Sequence, residues 1–252
     1  MKNKIVYIAL SVDVLHHGHI NLINHAKKYG KVIAGLLTDN AISSQKRLPL
    51  LNFNQRKKIL ENISGISKVV AQNEWEYSKN ILKIKPDYMI HGDDWIFGSD
   101  KNLRSGTIKA LIKIGGKLIE IPHTKNISSH SLKERMYLES TNPSSRQAIL
   151  KRLLDAKSIS RFLEAHSPLS AIIAEQVYYK NKQGKKIEFD GFWSSSLTDS
   201  TLKGKPDIEV LDINQRLSNI NDIFDVTTKP LIIDIDTGGK IEHLEINLKT
   251  IE

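Results

Sequence analysis

The chain has 252 residues, 40% hydrophobic content and no cysteine, which allows a sizeable core in one or two domains and excludes disulfides. No apolar run approaches the length of a membrane span, and the opening "MKNKIVYIALSVDVL" lacks a small-residue cleavage site, so it reads as a first strand and a cytoplasmic location is expected. The net charge is +9, yet the lysines are spread along the chain with no aromatic-interleaved basic stripe; an anionic small molecule is therefore the expected partner, and nucleic acid is not.

The first 135 residues alternate strand-like and helix-like segments. "KIVYIAL" is a buried strand, and "HINLINHAKKYG" has helical spacing with Gly30 as its stop. "KVIAGLLTD" is a second strand. "NFNQRKKILENI" is a helix that Asn52 or Asn54 could cap, and "SKVVAQ" a third strand. "YSKNILKIK" is helical up to Pro86, and "PDYMIHGDDW" carries a fourth strand. "SGTIKALIKIG" is a helix ended by Gly115 and Gly116, and "GKLIEIPH" is a fifth strand. Strands separated by helices of this length imply a parallel sheet covered on both faces, an α/β doubly wound, Rossmann-like domain over residues 1–136.

Residues 137–145 break this rhythm with Ser, Asn and Pro and read as a linker. Residues 146–252 resume it. "SRQAILKRLLDAK" is an amphipathic helix, "SRFLEAHS" a strand, "PLSAIIAEQVYY" a helix and "FDGFWSSSL" a strand. "NQRLSNINDIFDVT" is a helix, "KPLIIDID" a strand, and "IEHLEINLKTIE" starts a helix. The polar stretch inside "QVYYKNKQGKKIEF" is expected to be a surface loop. Three strands with amphipathic helices do not close a sheet, so this half is expected to be part of a (β/α) barrel, truncated after its third strand.

In "SVDVLHHGHI", residues 11–20, three of nine histidines surround a glycine directly after the first strand. The carboxyl end of a strand in a doubly wound sheet is where ligands bind. A helix starting near Gly18 or His19 would aim open amides and partial positive charge at that crevice, which suits phosphate. Glycine allows close backbone approach, and imidazoles donate to phosphate oxygens. A metal site would call for ligands at i, i+4 or elsewhere in the chain, which a strand–helix turn does not offer. His17 reads as solvent-facing.

The stretch "SVDVLHHGHINLINHA" resembles the start of the cytidylyltransferase superfamily of nucleotidyltransferases, with Ser11, Asp13, His16, Gly18 and His19 in the places of its His-x-Gly-His signature. Lys46 in "QKRLPL" takes the place of the phosphate-binding lysine, and Arg56 that of the helix arginine. "HGDDW", containing His91, Gly92, Asp94 and Trp95, matches the strand-four motif beside the base. "ISSHSLKER", with Ile127, Ser128 and Ser129, matches the motif that opens the last helix. The resemblance implies transfer of a nucleotidyl group from CTP, with Mg²⁺ on the triphosphate. It gives His16, His19, Lys46 and Arg56 the catalytic roles and makes the other residues nucleotide-binding. The chain departs from the superfamily at "HTKN", residues 123–126, where Arg-Thr-x-Gly is usual.

In the second half, Asp234 and Asp236 of "LIIDIDTGG" lie two apart at the end of a strand, so alternation puts them on one face. Clustered carboxylates at the rim of a parallel barrel call for a cation, and Mg²⁺ is expected; turn formation around Gly238 and Gly239 is the plainer alternative. Residues 145–252 resemble phosphoenolpyruvate mutase, of the isocitrate lyase superfamily. Trp193, Ser195 and Asp207 occupy substrate-binding places, and Asp234 and Asp236 the metal-site places. The mutase's gating-loop lysine, the arginine after it and a later histidine have no counterpart before Glu252, so mutase activity is not expected from this segment alone.

The order of the two resemblances matches bifunctional enzymes of phosphonate biosynthesis. The expected reaction is CMP transfer from CTP to a phosphonate such as 2-hydroxyethylphosphonate or 2-aminoethylphosphonate, with release of pyrophosphate, in a homo-oligomer. The alternatives are a cytidylyltransferase for a phosphate monoester, such as glycerol phosphate or phosphoethanolamine, and a non-catalytic nucleotide-binding scaffold.

Overall fold

The structure is a computed structural model that describes residues 4–96, 100–122, 124, 146, 149–182, 184–238, 240–243 and 245. The chain divides into two compact units, residues 1–134 with 181–185, and residues 135–180 with 186–252. Among the described residues no helix is long and apolar enough to cross a membrane. The expected linker over 137–145 lies outside the described residues.

The first unit is built on strands β1 (Ile5–Leu10), β2 (Lys31–Leu37), β3 (Ile66–Gln72), β4 (Tyr88–Gly92) and β5 (Lys117–Ile121). They form one sheet in the order β3-β2-β1-β4-β5, and every pairing is parallel. This is the doubly wound, Rossmann-like order, with the switch in connection direction between β1 and β4. Strand β1 shows why the sequence takes this form. Val6, Ile8 and Leu10 join one buried cluster with Ile23 and Ala26 of helix α1 (His17–Lys27) and Leu60 of α3 (Phe53–Glu61). Tyr7 and Ala9 join the opposite cluster with Ile81 of α4 (Ser78–Ile84) and Leu103, Ala110 and Leu111 of α5 (Lys101–Ile114). A strand buried on both faces must be apolar throughout, which is how "IVYIAL" reads.

Gly35 on β2 is required by its neighbour. A Cβ there would fall 1.8 Å from the Tyr7 hydroxyl. That hydroxyl donates to Gln72 Oε1 at 2.6 Å. Asn52 is the residue that caps α3, and Gln55 completes a reciprocal capping box with it. A short helix α2 (Asp39–Ser43), which the sequence pattern does not mark, follows β2 and is capped by Thr38.

The second unit contains α6 (Ile149–Ala156), α7 (Pro168–Gln176), α8 (Ser196–Leu202) and α9 (Ile213–Val226). Strands β6 (Phe162–Glu164), β9 (Gly191–Ser194) and β10 (Leu231–Ile233) are parallel and ordered β10-β9-β6. Its buried apolar cluster is Ala165, Ala171, Ala174, Phe192 and Ile223.

Two expectations need correction here. Tyr178 and Tyr179 do not continue α7, because Val177 leaves the helical region. They lie in β7 (Tyr178–Lys180), which pairs antiparallel with β8 (Lys186–Glu188), so the polar stretch is the tip of a hairpin. The hydroxyl-rich "SSSLTDS" turns into helix α8, because Ser195 at its N-cap accepts from the Thr198 amide. At 241–243 there is one turn of 3-10 helix, Glu245 is helical, and residues 246–252 lie outside the described residues.

Candidate active site

The carboxyl end of β1 carries the histidine cluster, and the sequence builds it as a helix cap. His16 has extended backbone and is the N-cap of α1. Its Nδ1 accepts from the Gly18 amide at 3.2 Å, and its own amide donates to His19 Nδ1 at 3.3 Å. The two rings lie 4.0 Å apart between centroids. Because both Nδ1 atoms act as acceptors, the neutral tautomer assigned to each ring carries its proton on Nε2. Each imidazole therefore presents an N–H donor of the kind a phosphate oxygen accepts. The expectation of open amides is corrected. The Gly18 amide is taken by His16 Nδ1, and the His19 amide by the His16 carbonyl at 2.9 Å. Gly18 is needed for this arrangement, since a Cβ would sit 3.0 Å from the His16 ring.

The loop under the histidines is tied down. Asp13 is buried and accepts from the Leu50 amide at 2.6 Å. Val12 has φ 46°, a left-handed conformation that is costly for a β-branched residue. Arg56 holds it from below. Fully buried, Arg56 donates to the carbonyls of Ser11 at 2.6 Å, Leu37 at 2.8 Å and Leu51 at 3.1 Å, and pairs with Asp39 at 2.7 Å. The guanidinium of this residue, to which the resemblance gave a catalytic role, is bonded to the ends of β1 and β2 and to Asp39.

Strand β4 neighbours β1 and ends at the same edge. His91 and Gly92 close β4, and Asp94 and Trp95 follow in one 3-10 turn. Trp95, expected either to line the base pocket or to pack the strand end, is almost completely buried. It stacks on His91 at 3.7 Å and 8°, with Tyr77 beside both rings. Its indole N–H donates to Glu120 at 2.6 Å, and Arg104 grips the same carboxylate with two bonds. The Arg104 hydrogen bond holds the Glu120 carboxyl below its ordinary value. Burial lowers the His91 pKa, so the ring is held towards its neutral form. Asp94 is exposed. Ile127, Ser128 and Ser129 lie outside the described residues, as do His123, Lys125 and Asn126.

Lys46 stands on the loop after α2, exposed, with its ammonium 5.0 Å from the centre of the Trp75 ring. Sequence reasoning passed over Trp75. Thr124, inside the "HTKN" stretch compared with the superfamily motif, has its Cβ 3.5 Å from the position a Gly18 Cβ would take, and its hydroxyl accepts from Asn21 at 3.3 Å. Nothing in the spacing of "NEWEY" marks Trp75; only the folded loop brings it beside Lys46.

In the second unit, β10 ends at Ile233, so Asp234 and Asp236 follow the strand. Strand alternation therefore does not relate them, which corrects the expectation. Asp236 has φ 54°, and its amide donates to Asp234 Oδ1 at 3.0 Å, a local turn. Ser196 Oγ lies 2.9 Å from Asp234 and 3.4 Å from Asp207, joining two of the expected residues. Arg216 pairs with Asp199 at 3.0 Å and Asp236 at 3.5 Å. Ser196, Asp199 and Arg216 were not singled out from the sequence. Burial opposes ionisation of Asp234, but hydrogen bonds from the Asp236 amide and Ser196, with the charge of Arg216, bring its carboxyl below the ordinary value. Burial, with the charges of Asp207 and Asp234, raises Asp236. Ser195 serves as the helix cap, and Trp193 is exposed on β9. Among the described residues, no group of three or more His, Cys, Asp or Glu is arranged to hold a metal ion.

Comparison with known proteins separates the same two segments. The family described as Cytidylyltransferase-like matches residues 11–135. A glycerol-3-phosphate cytidylyltransferase of Bacillus spizizenii is 30% identical over 138 residues, 54% of this chain and 98% of that protein. The chain belongs to the cytidylyltransferase-like family. The glycerol-3-phosphate cytidylyltransferase of Bacillus subtilis is 29% identical over 138 residues, with the same coverage, 54% and 98%. An ethanolamine-phosphate cytidylyltransferase of Arabidopsis thaliana is 27% identical over 140 residues, and those cover 53% of this chain but 32% of that protein. The family described as Phosphoenolpyruvate phosphomutase matches residues 150–252. This cytidylyltransferase is thus an enzyme of the nucleotidyltransferase class, with a mutase-like segment further along the same chain.

Proposed function

We propose that the chain transfers CMP from CTP to a phosphonate and releases pyrophosphate. The observation that carries the transferase chemistry is the paired imidazole cap of α1 at the switch point between β1 and β4, with both Nε2 atoms as donors. An ionised oxygen of the acceptor attacks the α-phosphorus in line. The new P–O bond forms as the bond to the β-phosphate oxygen breaks, and pyrophosphate carries the charge away. The acceptor is already anionic near neutral pH, so no strong base is needed, and the work is positioning and charge stabilisation. His16 and His19 donate to the α-phosphate and the leaving group, and Lys46 reaches the triphosphate from its loop. Ser11 and Asp13 shape the loop, His91, Gly92 and Asp94 border the nucleoside, and Ile127, Ser128 and Ser129 take the far phosphates. Mg²⁺ bound with the triphosphate would offset part of its negative charge.

The phosphonate acceptor rests on the mutase-like segment, since a phosphoenolpyruvate mutase makes the carbon–phosphorus bond. Residues 146–252 are read as part of a (β/α) barrel, with Trp193, Ser195 and Asp207 facing substrate. Oxygen donors suit Mg²⁺, which is commonly held by one or two carboxylates plus water. Asp234 and Asp236 fit that role: Ser196 links Asp234 to Asp207, and Asp236 lies 3.5 Å from Arg216. A cation there would polarise phosphate-type oxygens.

The test is pyrophosphate release with CTP, Mg²⁺ and a panel of 2-hydroxyethylphosphonate, 2-aminoethylphosphonate, glycerol phosphate and phosphoethanolamine. Turnover with the phosphonates above the esters is expected. The second reading, a phosphate monoester acceptor, is favoured by the names of the relatives in Bacillus and Arabidopsis. Preference for an ester would establish it. CTP binding without turnover on any acceptor would leave a scaffold.

A further inference from the structure

The Lys46 ammonium lies over the Trp75 ring at 5.0 Å. This is a built contact. Trp75 is half-buried and packs against Leu37, Ala41 and Ile42, the end of β2 and helix α2 immediately before the lysine. The Lys46 amide donates to the Ile42 carbonyl at 2.8 Å. The Trp75 loop is held from below by Gln72, buried at the end of β3, whose amide group donates to the carbonyls of Glu74 at 2.7 Å and Glu76 at 2.8 Å. Gln72 is itself fixed by the Tyr7 hydroxyl. At the far side of the lysine loop, Leu50 is tied to Asp13 and Leu51 to Arg56. The loop is thus a strap from the Trp75 ring across the edge of the sheet to the base of the histidine cluster, with Lys46 at its outer end.

We propose that Trp75 is a positioning residue for the nucleotide site, holding the Lys46 ammonium at the rim so that the triphosphate meets a restricted cation. A lysine chain is long and loses much rotamer freedom when it grips a ligand. An aromatic face that already restricts it removes part of that cost before binding. The inference rests on the cytidylyltransferase reading.

The test is a double-mutant cycle on CTP affinity and on kcat and KM for CTP, using full-length Trp75→Leu, Trp75→Phe, Lys46→Met and the Trp75→Leu/Lys46→Met pair. Trp75→Leu should weaken CTP binding about 2- to 30-fold, the range of a cation–π contact. Trp75→Phe should recover most of that. In the Lys46→Met background, Trp75→Leu should have no further effect. An equal loss in both backgrounds would reduce Trp75 to packing of α2 and overturn the proposal alone. Failure of the unaltered chain to bind CTP would overturn the proposal and the functional reading together.

Discussion

The two units treat their apolar surface differently. In the first, among the described residues, Leu82 and Ile112 are the large hydrophobics left exposed. Its sheet is packed on both faces. In the second, Leu169, Ile173, Leu197, Leu202, Ile208 and Val210 are among those exposed, around a cluster in which three of the members are alanines. What organises the carboxyl ends of its strands is polar: Ser196, Asp207, Asp234, Asp236, Arg216 and Asp199. A sheet closed on both sides gives a stiff platform, and the histidine cap needs one, because its two cap bonds depend on the exit angle from β1. A unit held by ion pairs depends more on pH and salt.

The largest effect is expected where the platform meets the site. Arg56→Met strips a fully buried guanidinium from three carbonyls and Asp39, and should cost about 3–5 kcal/mol in urea unfolding followed by circular dichroism. Arg216→Met removes two carboxylate contacts in the second unit and should cost about 1–3 kcal/mol. Equal costs would erase the contrast between the units.

His16→Ala comes next and separates chemistry from stability. It should lower kcat for pyrophosphate release roughly 10²–10³-fold, while the lost cap costs about 0.5–2 kcal/mol in the same unfolding assay. A rate loss no larger than the stability loss explains would return His16 to a plain cap.

Gly35→Ala should destabilise by about 1–3 kcal/mol through collision with the Tyr7 hydroxyl, and Tyr7→Phe in the same chain should relieve part of it. Denaturant midpoints of the single and double variants decide the matter.

The smallest effect is the pH dependence set by His91. Burial puts its folded pKa below the ordinary value of 6.5, so the unfolded chain binds the proton more readily. The resulting stability is fully present above pH 6.5 and is lost as pH falls from there towards the folded value. His91→Phe should flatten the acid side of a melting-temperature profile; an unchanged slope would place the sensitivity elsewhere, with Asp234 the group to test in the second unit.

Much of the fold and part of the site are legible in the residues. The continuous apolar run of β1, the glycine stops and the Asn52 cap each act over a few positions, where periodicity and capping chemistry are read directly. The place of the histidine motif after the first strand was legible because its glycine and imidazoles are adjacent in sequence. The role of Arg56 was not: its partners Ser11, Leu37 and Asp39 come from loops far apart in sequence. For Trp95 the residues left two readings open, lining the base pocket or packing the strand end, and its burial against His91 and Glu120 is the packing one. The carboxylates after β10 were legible as a pair, but through the wrong geometry, because the strand ends at Ile233 and a turn brings them together.

Sequence alone determined the alternation of the five strands of the first unit with their main helices, its parallel α/β architecture and the place where the histidines emerge, since these depend on local pattern and short-range bonding. Tertiary structure decided which side chains face the crevice and which hold it from beneath. That choice depends on strand order and loop closure, which bring β1, β2 and β4 to one edge and let a buried guanidinium and a stacked indole take structural posts that no local pattern assigns.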